Sequence, residues 1–168
     1  MSKLDVSGSI VLENTRARLE PLSLAHVDLL LPVAQQDPEL LRYSPSTVYT
    51  RELLTEYIRQ ALSERAAGTK YPFAIFDKYT GQYAGSTSFG AISNADQRLE
   101  IGWTWIGKDF QRTGLNRNCK LLQLSYVFET LGFERVEFKT DARNMQSRKA
   151  LEQIGALQEG IFRNHYHV

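Results

Sequence analysis

Between Leu99 and Gly132 the chain reads L-E-I-G-W-T-W-I-G-K-D-F-Q-R-T-G-L-N-R-N-C-K-L-L-Q-L-S-Y-V-F-E-T-L-G, and two incompatible periods meet inside it. Leu99, Ile101, Trp103 and Trp105 alternate with Glu100, Gly102, Thr104 and Ile106, which is the period of a strand. From Leu115 to Leu131 the apolar side chains fall at helical spacing, through Cys119, Leu122, Leu124, Tyr126 and Phe128. Gly132 suits a left-handed helix end. A strand must therefore become a long helix across Gln111-Arg112-Thr113-Gly114-Leu115-Asn116.

Such a junction presents backbone N–H groups that no helical carbonyl satisfies, and these attract anions. Arg112, Arg117 and Lys120 sit near the helix start, where the macrodipole disfavours cations. A polyanion among them would account for the arrangement. So would three solvated side chains around a glycine turn. The junction has neither G-x-x-x-x-G-K-[ST] nor G-x-G-x-x-G, so a phosphate here would be a handle for holding a ligand and not a group in transfer.

The rest of the chain builds one domain around this junction. A chain of 168 residues buries roughly 70% of its unfolded surface, enough for a core without staples. The net charge of +1 gives no case for nucleic acid or membrane as the main partner, so any anion site is local. Cys119 is the only cysteine, which excludes an internal disulfide and suits the cytoplasm. The polar N-terminus does not read as a signal peptide, and no apolar run approaches a membrane span.

Ile10 to Leu22 reads as a strand interrupted at Asn14-Thr15. Ser23 caps a helix that Pro32 should end or kink, and Asp37-Pro38 opens a shorter helical piece with Leu40 and Leu41. Thr50 caps a helix whose stripe is Leu53, Leu54, Tyr57, Ile58, Ala61 and Leu62, closed by Gly68. Tyr71–Phe76 and Gln82–Ile92 form a hairpin about Lys78–Gly81, and Asn94–Gln97 turns into the organising strand. A further strand, Arg135–Asp141, follows the long helix and so should run parallel to the strand before it. Asn144 caps a last helix ending at Ile154-Gly155, and Ala156–His167 reads as a final strand.

The motif Gln111-Arg112-Thr113-Gly114-Leu115-Asn116 resembles the Q/R-x-x-G-x-G/A signature of the GCN5-related N-acetyltransferase (GNAT) superfamily in all but its last position. Asn116 in place of Gly or Ala is similar to the branch of Rim-type ribosomal-protein N-acetyltransferases. The resemblance extends from about Ile10 onward and implies a mixed α/β fold. Its sheet is mostly antiparallel with one splayed parallel strand pair, and helices cover both faces. It implies acetyl-coenzyme A as cosubstrate and no metal. The motif residues would hold the pyrophosphate, the backbone of Trp105 and Ile106 would pair with the pantetheine amides and offer an N–H to the oxyanion, and Asn144 would bond the same arm.

Acetyl transfer to an amine needs the amine neutral. That costs roughly 1.4 kcal/mol at pH 7 for an α-amino group and roughly 4.6 for a lysine. Glu100 is the candidate base, placed opposite the two tryptophans by alternation. Its spacing to Gln111 is similar to that in histone-type members, where the glutamate draws the proton through water. Pairing with Arg98 or Lys139, or facing solvent, is the structural alternative. The family's usual acid for the departing thiolate, a tyrosine seven residues after the asparagine, is Leu151 here. Asn144-x-x-Ser147 resembles the Rim-type arrangement, in which the serine takes that role.

Cys119 reads as buried and structural, and the tryptophans as core. His165 and His167 share a strand face without a third metal ligand. The acceptor, a protein N-terminus or a small amine, would meet Tyr43–Tyr49 and Gly90–Gln97, where no motif names it. A coenzyme A-binding module without catalysis is the alternative reading. The family's last strand would follow His167. The edge of Ala156–His167 is therefore expected to be covered by a second subunit or another segment, or the chain to be a shortened form.

Overall fold

The computed structural model describes residues 2–168. One six-stranded sheet runs in sequence order: β1 (Leu12–Glu13), β2 (Ala17–Pro21), β3 (Tyr71–Asp77), β4 (Gln82–Ser93), β5 (Arg98–Ile106) and β6 (Arg135–Glu137). All neighbours are antiparallel except β5 and β6. The helices are α1 (His26–Ala34), α2 (Arg51–Ala66), α3 (Leu115–Ser125) and α4 (Met145–Gln153). The interruption at Asn14 is a tight hairpin, in which the Asn14 carboxamide oxygen accepts from the amides of Arg16 and Ala17, both at 2.9 Å.

Register fixes which face each side chain takes. Ser86, Ser88 and Gly90 of β4 oppose Trp105, Gly102 and Glu100 of β5. Glu20 lies in the same face by way of Ala74, and α1 packs there, with His26 Nε2 bonded to Glu20 at 2.9 Å. Thr87 points to the opposite face, under α3, where it meets Gln123. Leu19, Phe73, Phe89, Leu99 and Ile101 are buried on that face with Leu115, Cys119 and Val127.

Several expectations need correction. Asp37–Leu41 is not a helix; it is a run of three-residue turns, such as Leu40 N–H to the Asp37 carbonyl at 3.2 Å. Pro32 does not end α1, which continues to Ala34. The long helix changes pitch after Ser125 into a π turn over Tyr126–Thr130. β6 stops at Glu137, short of Asp141. Ala156–His167 forms no strand: no ladder reaches it, and Leu157, Ile161, Phe162 and Tyr166 are exposed. An isolated strand with no partner has nothing to satisfy its backbone. The covered-edge expectation therefore has no strand to act on, and His165 and His167 share no strand face.

Candidate active site

The site is built where β5 outlasts β6. Parallel pairing covers only Arg98–Glu100 against Arg135–Glu137, so Ile101–Ile106 has no strand on that side among the described residues. Strand alternation then decides which amides face the gap. Gly107 N–H donates to the Ala84 carbonyl at 2.8 Å, so the next residue back, Ile106, turns its N–H and C=O away from β4 and toward the open edge. The side-chain amide of Gln111 donates to the Ile106 carbonyl at 3.0 Å, tying the turn to the end of β5. Of the two residues expected to offer backbone groups, Ile106 faces the gap. Trp105 pairs inward with Ser86.

A β-bulge sits at the middle of this edge. Between Ser86 and Ser88 the register slips, so Trp103 and Thr104 together oppose Thr87. Trp103 adopts φ 50°, and the Tyr57 hydroxyl on α2 donates to its carbonyl at 3.0 Å. The extra residue inverts the alternation, which corrects the expected placement of Glu100: it shares a face with the tryptophans. The Trp103 ring covers Gly90, where an added Cβ would lie 2.2 Å from it, and the Lys70 ammonium sits 4.1 Å from the ring centre. At 39% exposure Trp103 is not core, whereas Trp105 is buried with its indole N–H unpartnered.

Glu100 lies at the apex of the gap, at the last residue paired with β6. Its side chain is buried, and its carboxylate meets Lys139 Nζ at 3.1 Å. Burial pulls the Lys139 ammonium down, but the bond and charge of Glu100, with smaller contributions from Tyr166 and Glu137, together hold the group above its ordinary range. The pairing foreseen as the structural alternative is thus present, with the carboxylate still beside the gap.

The turn has the form of an anion cradle. Gly114 caps α3 at φ 88° with no side-chain cap, and no atom lies within 4 Å of where its Cβ would be. The Thr113 hydroxyl donates to the Phe110 carbonyl at 2.6 Å, and Leu115 is buried, so both can serve a ligand only through the main chain. Arg112 and Arg117 are exposed around the cradle. Lys120 is not with them: it is buried against β5, where Nζ donates to the Thr104 hydroxyl at 3.0 Å. Asn116, one turn before it, has a buried side-chain oxygen without a partner. Open space at Gly114, a helix start whose Leu115 amide has only a long bond to the Thr113 hydroxyl at 3.4 Å, and an orphaned acceptor at Asn116 fit a phosphate-bearing ligand with an amide-rich arm.

Arg16 was invisible to sequence reasoning. Its Nη atoms donate to the Thr113 carbonyl at 3.1 Å and to the Thr113 hydroxyl at 3.2 Å, while Nε holds Asp77 at 3.0 Å. No local pattern marks an arginine in a hairpin as the brace of a turn so distant in sequence.

Asn144 caps α4, its side-chain oxygen accepting from the Ser147 amide at 3.1 Å. Helix α4 buries none of its side chains, and Ser147 is half-buried. The guanidinium of Arg143, just before the cap, lies 5.7 Å from the Tyr43 ring, which brings the loop before α4 to the Tyr43–Tyr49 segment. Burial pushes the Cys119 thiol up to about 12, consistent with an inert, structural cysteine. Among the described residues no cluster of His, Cys, Asp or Glu could hold a metal, and no helix is long and apolar enough to cross a membrane.

A parallel pair that parts after Glu100, beside a helix start with open space at Gly114, fits an acyl donor carried on a phosphate-bearing arm. The chain belongs to the GNAT acetyltransferase family: residues 16–157 match the family model described as an acetyltransferase (GNAT) domain. It is an N-acetyltransferase whose cosubstrate is acetyl-coenzyme A. It is 26% identical over 151 residues to "Uncharacterized N-acetyltransferase p20" of Bacillus licheniformis, covering 89% of this chain and 84% of the other. Over 91 residues it is 34% identical to "Putative ribosomal N-acetyltransferase YdaF" of Bacillus subtilis (strain 168), covering 54% and 49%. A crystal structure of a GCN5-related N-acetyltransferase from Brucella melitensis superposes with a TM-score of 0.88 at 28% identity, covering 99% of this chain and 76% of that one.

Proposed function

We propose that the chain, acting as a single cytoplasmic acetyltransferase domain, transfers acetyl to the α-amino group of a protein, by direct attack of the amine on the thioester. The observation that carries this is the open edge of β5, with the Ile106 amide aimed into the gap and Glu100 at its apex. An N–H fixed on a strand stabilises a developing oxyanion without reorganising. The buried carboxylate of Glu100 takes the proton from the amine through water. Gln111, Arg112, Thr113, Gly114, Leu115 and Asn116 form the pyrophosphate end, Ile106 meets the arm through its main chain while Trp105 holds β5 to β4 behind it, and Asn144 uses its amide N–H₂, left over from capping. The acceptor assignment is supported by the name of the YdaF relative, a ribosomal N-acetyltransferase, and by the lower cost of deprotonating an α-amine than a lysine.

Thiol release from acetyl-coenzyme A across peptides with free N-termini, the same peptides blocked, amino sugars and polyamines tests the reading. Free N-termini should turn over and blocked ones should not. Turnover of small amines alone would move the acceptor class. Coenzyme A binding without any turnover would make the chain a binding module.

Ser147, at the third residue after the Asn144 cap, is assigned to protonate the departing sulfur. A thiol of pKa near 8.5 is already a fair leaving group, so Ser147→Ala should lower kcat only ~10-fold with an unchanged KM for acetyl-coenzyme A. Unchanged kcat in a single-turnover measurement would remove Ser147 from the chemistry.

A further inference from the structure

Lys120 is a buried cation that the fold itself does not explain. It is 7% exposed, and among the described residues its ammonium has one partner, the Thr104 hydroxyl. Among the described residues no carboxylate pairs with it, and the titratable neighbour acting on it is Cys119, on its own helix. From β4 and β5 it faces the neutral side chains of Thr87 and Thr104, and Gln123 lies beside them. Burial pulls the ammonium down to about 8. A buried charge without a counter-ion costs stability, and an apolar side chain of the same volume would cost less.

The bonds around Thr104 give its hydroxyl a direction. Lys120 donates to Thr104 Oγ1, and Thr87 Oγ1 lies 2.8 Å from the same atom. The Gln123 carboxamide lies against Thr87 with Nε2 at 3.3 Å and Oε1 at 3.4 Å, both longer than the 2.8 Å to Thr104, so the Thr87 proton is best used on the shorter bond, to Thr104. Both lone pairs of Thr104 are then occupied, so its proton is left to point elsewhere. Among the described residues the acceptor it has is the Gly102 carbonyl, over a long bond of 3.4 Å that a stronger acceptor can displace. Thr104 itself is half-buried, on the stretch of β5 that β6 does not cover. A hydroxyl that accepts from an ammonium is also a stronger donor, because the bonds polarise one another.

We propose that Thr104 is a further catalytic residue, donating a hydrogen bond to the thioester sulfur as it gains negative charge, and that Lys120 is the positioning residue that aims and strengthens that donor. The assignment rests on the acetyl-transfer reading above. It leaves the proton itself to Ser147, and it gives the uncompensated cation the partner it lacks: the charge that appears on sulfur when the C–S bond breaks. Preorganised donors at such positions are worth on the order of 10²–10³ in rate.

The test reads the thiol of bound coenzyme A and needs no acceptor. The ultraviolet thiolate band is titrated for coenzyme A bound to the wild type, to Lys120→Met, to Thr104→Val and to Thr104→Ser. In the wild type the bound thiol should titrate at least about one unit lower than in Lys120→Met, a tenfold difference in thiolate at a fixed pH. Thr104→Val should lose most of that shift and Thr104→Ser should keep it. Lys120→Met should melt no lower than the wild type, since it removes an unpaired buried charge. Equal thiol titration in the wild type and Thr104→Val would overturn the proposal even if Lys120→Met failed to fold. No binding of coenzyme A to the wild type would instead bring down the acetyl-transfer reading itself.

Discussion

Gly114→Asp should abolish coenzyme A binding in a protein that still folds. The glycine sits at φ 88°, where a side chain is strained, but the space around it is empty in the free protein. Aspartate is among the residues that tolerate this conformation best, so the fold should lose no more than about 1–2 kcal/mol. The ligand meets a different situation. The emptiness is what lets a pyrophosphate approach the amides at the start of α3, and a carboxylate there would fill the cradle and take those amides for itself. Isothermal titration should show no binding at concentrations that saturate the wild type, while the circular dichroism spectrum is unchanged. Unaltered affinity in a folded variant would mean that the phosphates bind elsewhere.

Glu100→Gln should lower kcat by ~10²–10⁴ near neutral pH and by much less at alkaline pH, where the acceptor amine is already neutral. Glutamine keeps the shape and an acceptor oxygen for Lys139, so the apex should stay intact and coenzyme A affinity should hold. The loss of the carboxylate leaves Lys139 half-exposed and solvated, which avoids stranding a buried charge. The pH–kcat profile separates the roles. A deficit that shrinks with rising pH marks proton removal, and the same deficit at every pH would reduce Glu100 to a strut for the last β5–β6 pair.

The order of elements was legible because each has a clear period and clear punctuation. Thr50 caps α2 through its side chain as expected, accepting from the Leu53 amide at 3.2 Å, and the helix between β5 and β6 makes them parallel. The glycine turn was legible for the same reason. The bulge was not, since Trp103 and Thr104 look like any alternating pair. One extra residue moved Glu100 to the face of the tryptophans without leaving a mark in the sequence. Charge alone groups Lys120 with Arg112 and Arg117, whereas the structure buries it against β5 and leaves the two arginines exposed. The better signal is spacing: Asn116, Lys120 and Gln123 follow one sheet-facing line along α3. The C-terminal segment failed for the opposite reason. Alternation alone proposes a strand, but only a neighbouring strand can make one.

The brace formed by Arg16 ties the cofactor turn to the history of the chain. Its bonds to Thr113 span 97 residues of sequence, and its bond to Asp77 spans 61. Contacts of that separation form late, after the intervening chain has closed the loops between them. During synthesis the hairpin that carries Arg16 leaves the ribosome long before Thr113 exists. The turn before α3 therefore reaches its final shape only when the first and the middle parts of the protein have met. A change in the first hairpin can thus reach the start of α3 without touching any residue near it in sequence.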